Sequence, residues 1–216
     1  MSQSAESAHI RALTVEAVEA ATELIGRPVV GLRWNEPSAL DGMTVGALAA
    51  HLVRAAGAVV AYLDRTDASQ RPEDDLLNPV TYFHAALDAP IHDQIKTVSA
   101  DEANLGHGAT VRKSAALVVA LRDRLATEPD DRLVGALGGR MLSLDDFCRT
   151  RLIEVLTHID DLAVSVGEQR PPTDPESIGI VIEILTGIAS NLHGDWTVLH
   201  ALSRAERLTA PVFPVF

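Results

Sequence analysis

The 216-residue chain has little cysteine, few aromatic residues and no long apolar run. Its one cysteine, Cys148, excludes an internal disulfide framework and a zinc cluster of four thiolates. Aromatic residues make up only 4% of the chain, which disfavours stacking platforms for bases or sugars. No apolar run approaches the ~20 residues of a membrane span, and the first residues lack the basic and apolar regions of a secretory signal. We therefore expect a soluble, cytoplasmic protein with no membrane partner.

Positive charge is also scarce. The chain has 18 Lys and Arg against 30 Asp and Glu, which gives a formal net charge of −12. This balance repels phosphate backbones and anionic lipids, so we expect no nucleic-acid partner. Neither a glycine-rich phosphate-binding motif nor an HExxH motif occurs, so nucleotide cofactors and zincin-type proteolysis are not supported.

What the chain does have is apolar spacing typical of helices. Four segments carry clear stripes: 6–25, 44–63, 110–126 and 144–166. A weaker helical segment, 80–98, is interrupted by Pro90, and segment 176–202 predicts one or two helices with Gly187 and Gly194 as candidate interruptions. The connections 29–43, 65–79 and 101–108 are predicted as loops, and 134–142, with Gly138-Gly139, as a small hairpin or irregular crossover.

These elements predict an all-α fold, because strand signal is sparse. We expect an up-down four-helix bundle with additional C-terminal helices and a short extended arm. Residues 1–167 would form the bundle, and 168–216 a helical extension and arm packed on the same domain. The arm, 208–216, is apolar and would lie on the body or on a neighbouring subunit, which is compatible with a homodimer.

Polar residues mark the ends of two helices. Thr44 is a candidate N-cap for the second helix. Ser143, with Asp146 three residues later, begins the longest helix, and Gly167 is suited to end it.

The longest helix contains a candidate pair of metal ligands. Glu154 and His158 are four residues apart, so they share one face, at the edge of the apolar stripe. Arg151 and Asp161 lie along the same row. A polar row bordering a bundle core is where internal sites are built, but a Glu–His pair at this spacing also stabilises ordinary solvated helices.

A third candidate ligand, His51, lies at the edge of the second helix's stripe. Its neighbours on that face are small, Ala47 and Ala55 among them, which permits close approach of another helix. The alternative is a partly buried histidine with a backbone partner. Together, His51, Glu154 and His158 would suit Zn²⁺ or a similar divalent ion and leave a fourth position open. The sequence leaves open whether the two helices face each other.

Two runs of sequence resemble a known family. The run from Trp34 to His51, WNEPSALDGMTVGALAAH, and the run from Thr150 to Ala163, TRLIEVLTHIDDLA, are similar to the two motifs of the metal-binding domain of mycothiol-dependent maleylpyruvate isomerases. The resemblance covers about residues 8 to 167. It implies the DinB-like superfamily of four-helix metalloproteins, with a divalent metal, often zinc, on His51, Glu154 and His158.

The resemblance also implies a chemistry. A metal with an open position would bind a low-molecular-weight thiol, mycothiol or a similar one, and its thiolate would attack a small electrophile. We assign no catalytic residue beyond the metal ligands. Asp161 would orient the His158 ring or be a solvated charge. Arg54 and Arg151 would hold an anionic cofactor or substrate, or be ordinary surface arginines.

Cys148 is not expected to take part. It lies ten residues before His158 on the same helix, about 15 Å away at 1.5 Å per residue, so both cannot bind one ion. We expect it to be a buried core thiol.

Three functions are therefore open. The first is a metal-dependent thiol transferase or isomerase. The second is a non-catalytic metal-binding bundle with a regulatory or ligand-binding role. The third is a metal-dependent hydrolase. The isomerase has a further small α/β domain, whereas the segment from Gln169 onward is predicted here as helices and an arm.

Overall fold

A computed structural model describes residues 2–72, 75–87, 92–136, 139–207 and 211–215. Within these ranges the helices are α1 (Gln3–Gly26), α2 (Pro28–Leu32), α3 (Val45–Arg65), α4 (Pro79–Leu87), α5 (His92–Ala103), α6 (His107–Thr127), α7 (Leu144–Val166), α8 (Pro175–His193) and α9 (Asp195–Ser203). Two short strands, β1 (Leu133–Gly135) and β2 (Met141–Ser143), pair antiparallel between α6 and α7. The predicted all-α architecture is confirmed.

The four long helices α1, α3, α6 and α7 form the bundle. Both α1 and α3 pack against α6 and α7, so the order around the bundle is α1, α7, α3, α6. Each helix turns its apolar stripe inward, and the core includes the fully buried side chains of Leu24, Leu48, Leu121 and Leu152. Burying each such leucine contributes roughly 1.5–3 kcal/mol. As a result, α3 and α7 lie side by side, with their polar edges at a common seam.

Helix α3 is the most apolar of these helices. Among the described residues it alone is long and apolar enough to meet the length and composition of a membrane span. Most of it is buried inside the bundle, so its composition reflects a central position between α6 and α7.

Side-chain caps and a glycine set the ends of the helices that carry the candidate ligands. Thr44 Oγ1 accepts a hydrogen bond from the Ala47 amide at 3.1 Å and caps α3. Ser143 Oγ accepts one from the Asp146 amide at 3.0 Å and caps α7. Gly167 follows α7 with φ of 72°, a left-handed conformation that costs glycine little. All three predicted ends are confirmed.

Two predicted loops contain helix instead. The 29–43 connection begins inside α2, whose first residue is Pro28. The loop predicted at 101–108 is wrong, because α5 continues to Ala103 and α6 already begins at His107. Gly106 makes the tight turn between them with φ of 84°. The spacing missed this because α5 has a weak stripe and is stabilised by packing on α3.

The two segments with irregular sequence patterns, 80–98 and 134–142, form two helices and part of a hairpin. Segment 80–98 forms α4 and α5, and the predicted interruption at Pro90 lies outside the described residues. Segment 134–142 contributes to a hairpin in which Leu133 lies opposite Ser143 and Gly135 opposite Met141. Gly138, half of the predicted glycine turn, also lies outside the described residues.

The C-terminal segment forms two helices. Gly187 does not interrupt α8: a Cβ there would lie 2.8 Å from Val80 Cγ2, so glycine permits the close approach of α4. Gly194, with φ of 85°, separates α8 from α9. Beyond α9, Val212 is buried in a cluster with residues of both helices, so this part of the predicted arm lies on the chain's own body.

Candidate metal centre

Three predicted side chains meet where α3 packs against α7. His51 lies in the first half of α3, and Glu154 and His158 lie one turn apart on α7. His51 Nε2 is 3.1 Å from His158 Nε2 and 3.9 Å from Glu154 Oε2, and His158 Nε2 is 3.7 Å from the same oxygen. The helices therefore do face each other, and we call these three residues the trio.

The trio fits a divalent ion in ligand type and in spacing. Zn²⁺ binds imidazole nitrogen and carboxylate oxygen at about 2.0 Å, which in tetrahedral geometry places ligand atoms about 3.3 Å apart. The observed separations of 3.1, 3.7 and 3.9 Å are close to that value. Among the described residues, no second group of three or more His, Cys, Asp and Glu side chains converges in this way. Three protein ligands leave a coordination position for a further molecule.

Small residues flank His51 along α3. Ala47 and Ala55, one turn before and one turn after His51, are both buried. At the start of α3, a Cβ on Gly46 would lie 2.5 Å from the Trp34 ring, so glycine is needed for Trp34 to pack there. The Trp34 indole nitrogen donates to the Ala103 carbonyl at 3.1 Å. This contact ties the start of α3 to the end of α5 beside the trio.

Asp161 holds the ring of His158. Its Oδ2 lies 2.9 Å from His158 Nδ1, which donates the hydrogen bond. The bond leaves Nε2 facing His51 and Glu154. An acceptor on the other ring nitrogen is the usual partner of a metal-binding histidine, because it fixes the tautomer and the ring orientation.

His51 has a different partner, Arg54. The Nη2 of Arg54 lies 2.9 Å from His51 Nδ1 and 2.7 Å from Ser99 Oγ. A guanidinium can only donate, so Nδ1 accepts, and the neutral ring carries its proton on Nε2. Ligation through Nε2 requires that proton to leave and Arg54 to turn away. Glu102, whose Oε2 is 3.5 Å from Arg54 Nε, is an alternative partner for the arginine.

Burial and neighbouring charge set the protonation of the trio. Burial, with His158 beside it, lowers the pKa of His51 to about 4. Burial opposes the charge on Glu154, but His158 and Arg151 prevail and lower the pKa of this carboxyl to about 2. Burial also opposes charge on His158, but the hydrogen bond to Asp161 and the nearby Glu154 raise its pKa to about 9.

The protonation of the two histidines consequently places two N–H groups between their rings. A pKa of about 9 keeps a proton on His158 at neutral pH, while Arg54 places the proton of His51 on Nε2, facing the same space. Neutral His51 has a single acceptor nitrogen, which accepts from Arg54, so the acceptor that remains for the Nε2–H of protonated His158 is Glu154 Oε2, 3.7 Å away. A cation that displaces the proton of His158 would relieve this conflict.

A groove of about 840 Å³ adjoins the trio, and His51 and Glu154 form part of its wall. Its volume lies in the range of small-molecule sites. Much of the lining is small or apolar, including Ala58, Phe83 and Leu117. In a chain of net charge −12 the groove is nevertheless rich in cations: Arg54, Arg65, Lys113 and Arg151 all line it.

Arg151 is the most deeply buried of these cations, with 6% of its surface exposed. Its Nε donates to Thr150 Oγ1 at 3.1 Å, its Nη2 lies 3.4 Å from the Tyr82 hydroxyl, and its guanidinium lies 4.9 Å from the centre of the Phe147 ring. Among the described residues, no carboxylate lies within 4.0 Å to form an ion pair with it. Glu154 acts on this guanidinium through its charge but makes no ion pair with it, so Arg151 can still bind an anionic group that enters the groove.

Cys148 lies away from this chemistry, as the sequence predicts. It is fully buried, and burial raises the pKa of its thiol to about 12. The thiol therefore stays protonated at neutral pH and is a poor nucleophile.

Three residues beside the site carry no recognisable signal in the sequence: Tyr82, Ser99 and Glu102. They belong to α4 and α5, whose apolar patterns are weak. A tyrosine, serine or glutamate in such a segment stands at no characteristic sequence interval from the candidate ligands, so the sequence does not connect it with the site. Their roles follow from the packing of α4 on α7 and of α5 on α3.

The fold and the trio define a class of protein: a DinB-like helical bundle with a His–Glu–His cluster that could hold a metal ion between two of its long helices. A family model described as the mycothiol maleylpyruvate isomerase N-terminal domain matches residues 13–163. The chain belongs to this family, and the match includes the whole trio. Helices α8 and α9 lie outside it. No curated protein and no solved structure shows a significant match.

Proposed function

We propose that the protein is a cytoplasmic, metal-dependent thiol S-transferase or isomerase that uses mycothiol or a similar small thiol. Its resident ion would be divalent, with Zn²⁺ the best match to His51, Glu154 and His158. The observation that carries the proposal is the convergence of three ligand atoms at the wall of an 840 Å³ groove. The description of the family supports the choice of thiol.

Zn²⁺ bound at the trio would lower the pKa of a thiol ligand and so supply its thiolate, the nucleophilic form. The chain's own residues provide the surroundings for this chemistry. Asp161 fixes the ring of His158. Cys148 does not compete as a nucleophile, because its thiol is buried and protonated.

The groove supplies the binding surface for the electrophile and the thiol. Arg151 binds an anionic group of either molecule, with the Tyr82 hydroxyl beside it. Arg54 provides a second positive charge once it turns away from His51. The apolar lining at Ala58 and Leu117 excludes water from the body of the bound molecules.

The test is turnover that needs both zinc and a thiol. Untagged protein, loaded with Zn²⁺, is expected to accelerate the consumption of monochlorobimane by mycothiol, and Glu154→Gln should abolish this acceleration. The matched control is His9→Ala. His9 forms a surface pair with Glu176 at 2.9 Å, so this variant removes a histidine–carboxylate contact outside the trio and should keep full activity.

Two results would favour the other functions. Protein that binds zinc at the trio but accelerates no thiol-dependent reaction would be a non-catalytic metal-binding bundle. Zinc-dependent turnover of an ester or amide substrate that persists without any thiol would point to a hydrolase.

A further inference from the structure

The C-terminal helices carry an uncovered apolar face. Of the twelve large hydrophobic residues exposed in the described part of the chain, seven lie between positions 178 and 213. We call these seven residues the C-terminal apolar face: Ile178, Ile182 and Leu192 of α8, Trp196, Leu199 and Leu202 of α9, and Phe213 beyond them.

The α8 and α9 parts of the face are joined where α9 packs on α8. On α8, residues 178, 182, 185, 189 and 192 recur at three- and four-residue steps and form one stripe. Ala189 of this stripe is covered by Val198 and Val212, so α9 and the chain end lie over its second half. Trp196, Leu199 and Leu202 follow at three-residue steps along the outer side of α9. Phe213 directly follows Val212, which packs with Ala189 of α8 and Val198 of α9.

The face is almost free of charge. Between Ile178 and Leu192 the only charged side chain is Glu183, which lies about 140° around the helix from Ile178 at 100° per residue. Asp195 is the only charged residue of α9 at neutral pH. Lysine and arginine are absent from both helices, so the face lacks the cations that an anionic membrane surface would attract.

The size of the face matches half of a stable dimer interface. Its members expose 39–74% of their surfaces, which corresponds to about 700 Å² in total if a large apolar side chain offers about 200 Å² when fully exposed. Pairing two copies would bury about 1,400 Å², within the range of specific protein interfaces. Exposed apolar patches of this size are uncommon on monomers.

We propose that the C-terminal apolar face pairs with the same face of a second copy and forms a two-fold symmetric homodimer. An uncharged face is self-complementary, because no like charges meet across the axis. Pairing also removes from water seven of the twelve exposed large hydrophobic residues in the described part of the chain, although the net charge of −12 elsewhere repels a second copy.

The test is the oligomeric state of the full chain, measured by sedimentation velocity over a range of concentrations. The wild-type protein should show twice the mass of one chain, and the double variant Leu199→Glu/Leu202→Glu should be monomeric. The matched control is Leu105→Glu, which places the same charge at a residue 72% exposed in the turn between α5 and α6. This control should remain dimeric.

Two further measurements exclude indirect effects. Circular dichroism and zinc uptake should be the same in the double variant and the wild type, since α9 is remote from the trio in the sequence and lies outside the matched family region. Trp196 is 74% exposed in one chain, so its fluorescence emission should shift to shorter wavelength as concentration rises.

A wild-type protein that stays monomeric at every concentration would overturn the proposal. So would a dimer that persists in the double variant. Monomeric protein that instead sediments with phosphatidylcholine–phosphatidylglycerol vesicles would assign the face to a lipid surface.

Discussion

Two polar clusters lie along α7, one against α1 and the other against α3. They differ in whether each hydrogen-bond donor has an acceptor. Near the start of α7, Asp145 Oδ1 accepts a hydrogen bond from Arg11 Nε at 2.9 Å. The remaining nitrogens of Arg11 donate to the carbonyl oxygens of Glu128 and Pro129, at 2.6 and 2.9 Å. Every guanidinium nitrogen therefore has an acceptor.

In the trio, whose α7 members lie about 2.5 and 3.6 turns after Asp145, the donors and acceptors are not fully matched. Its three ligand atoms point at one another, and His51 faces more protons than its one acceptor nitrogen can take. Buried polar groups in native structures are almost always satisfied. The comparison teaches that the Arg11 cluster is complete as it stands, whereas the trio could be completed by a cation that displaces the proton of His158 once Arg54 has turned away from His51.

Removing one of the proposed metal ligands should have the largest effect on zinc affinity. We expect His51→Ala to lower zinc affinity by more than about 100-fold, because it removes one of three direct ligands and should exceed the effect of losing an outer hydrogen-bond partner. The measurement is zinc competition with a chelator of known affinity. A variant that binds zinc as tightly as the wild type would remove His51 from the site.

The Arg11 cluster should respond in the opposite way. Asp145→Ala leaves a buried guanidinium without its counter-ion, so we expect the free energy of unfolding to fall by about 3 kcal/mol. Zinc stoichiometry should remain that of the wild type. Urea unfolding and metal analysis on the same preparation check both statements. Loss of zinc in the folded variant would show that the clusters are not independent.

Loss of the partner of His158 should have an intermediate effect. We expect Asp161→Ala to reduce zinc affinity about 10–100-fold, because the ring loses the acceptor that orients it. Asp161→Asn keeps an acceptor oxygen and should lose less. The control is Asp160→Ala, which removes only an exposed carboxylate that pairs with Arg170. Equal affinities in all three variants would contradict a positioning role for Asp161.

Acidity should change zinc binding more gradually. The pKa of His158 is raised from 6.5 to about 9, so its proton is present at neutral pH and zinc must displace it. Apparent zinc affinity should therefore rise about tenfold per pH unit between pH 6 and 8 and level off above pH 9. Calorimetry in buffers of different ionisation enthalpy measures the protons released. Affinity that is constant across this range would contradict the protonation of His158.

The sequence was sufficient to predict the parts of the molecule that depend on local pattern. The stripe of α7, its Ser143 cap and Gly167 depend on neighbours within a few residues. For the trio, the stripes made His51, Glu154 and His158 candidates, and the family resemblance joined them into one predicted ligand set.

Other features depend on contacts between distant segments, which the sequence did not reveal. Helix α5 was partly predicted as a loop because its stability comes from α3. Arg54 was predicted as a cofactor-binding residue. Its contact with His51 depends on their i, i+3 spacing and on Ser99 of α5, which accepts a hydrogen bond from the same Nη2. The position of Tyr82 beside Arg151 likewise requires α4 to lie on α7.

X-ray absorption of the zinc-loaded protein, before and after addition of a thiol, tests the central claim most directly. The account predicts two histidine nitrogens and one carboxylate oxygen at about 2.0 Å, with one exchangeable ligand that the thiol replaces by sulfur at about 2.3 Å. Zinc held by four protein ligands, or a spectrum that shows no sulfur when the thiol is in excess, would contradict it.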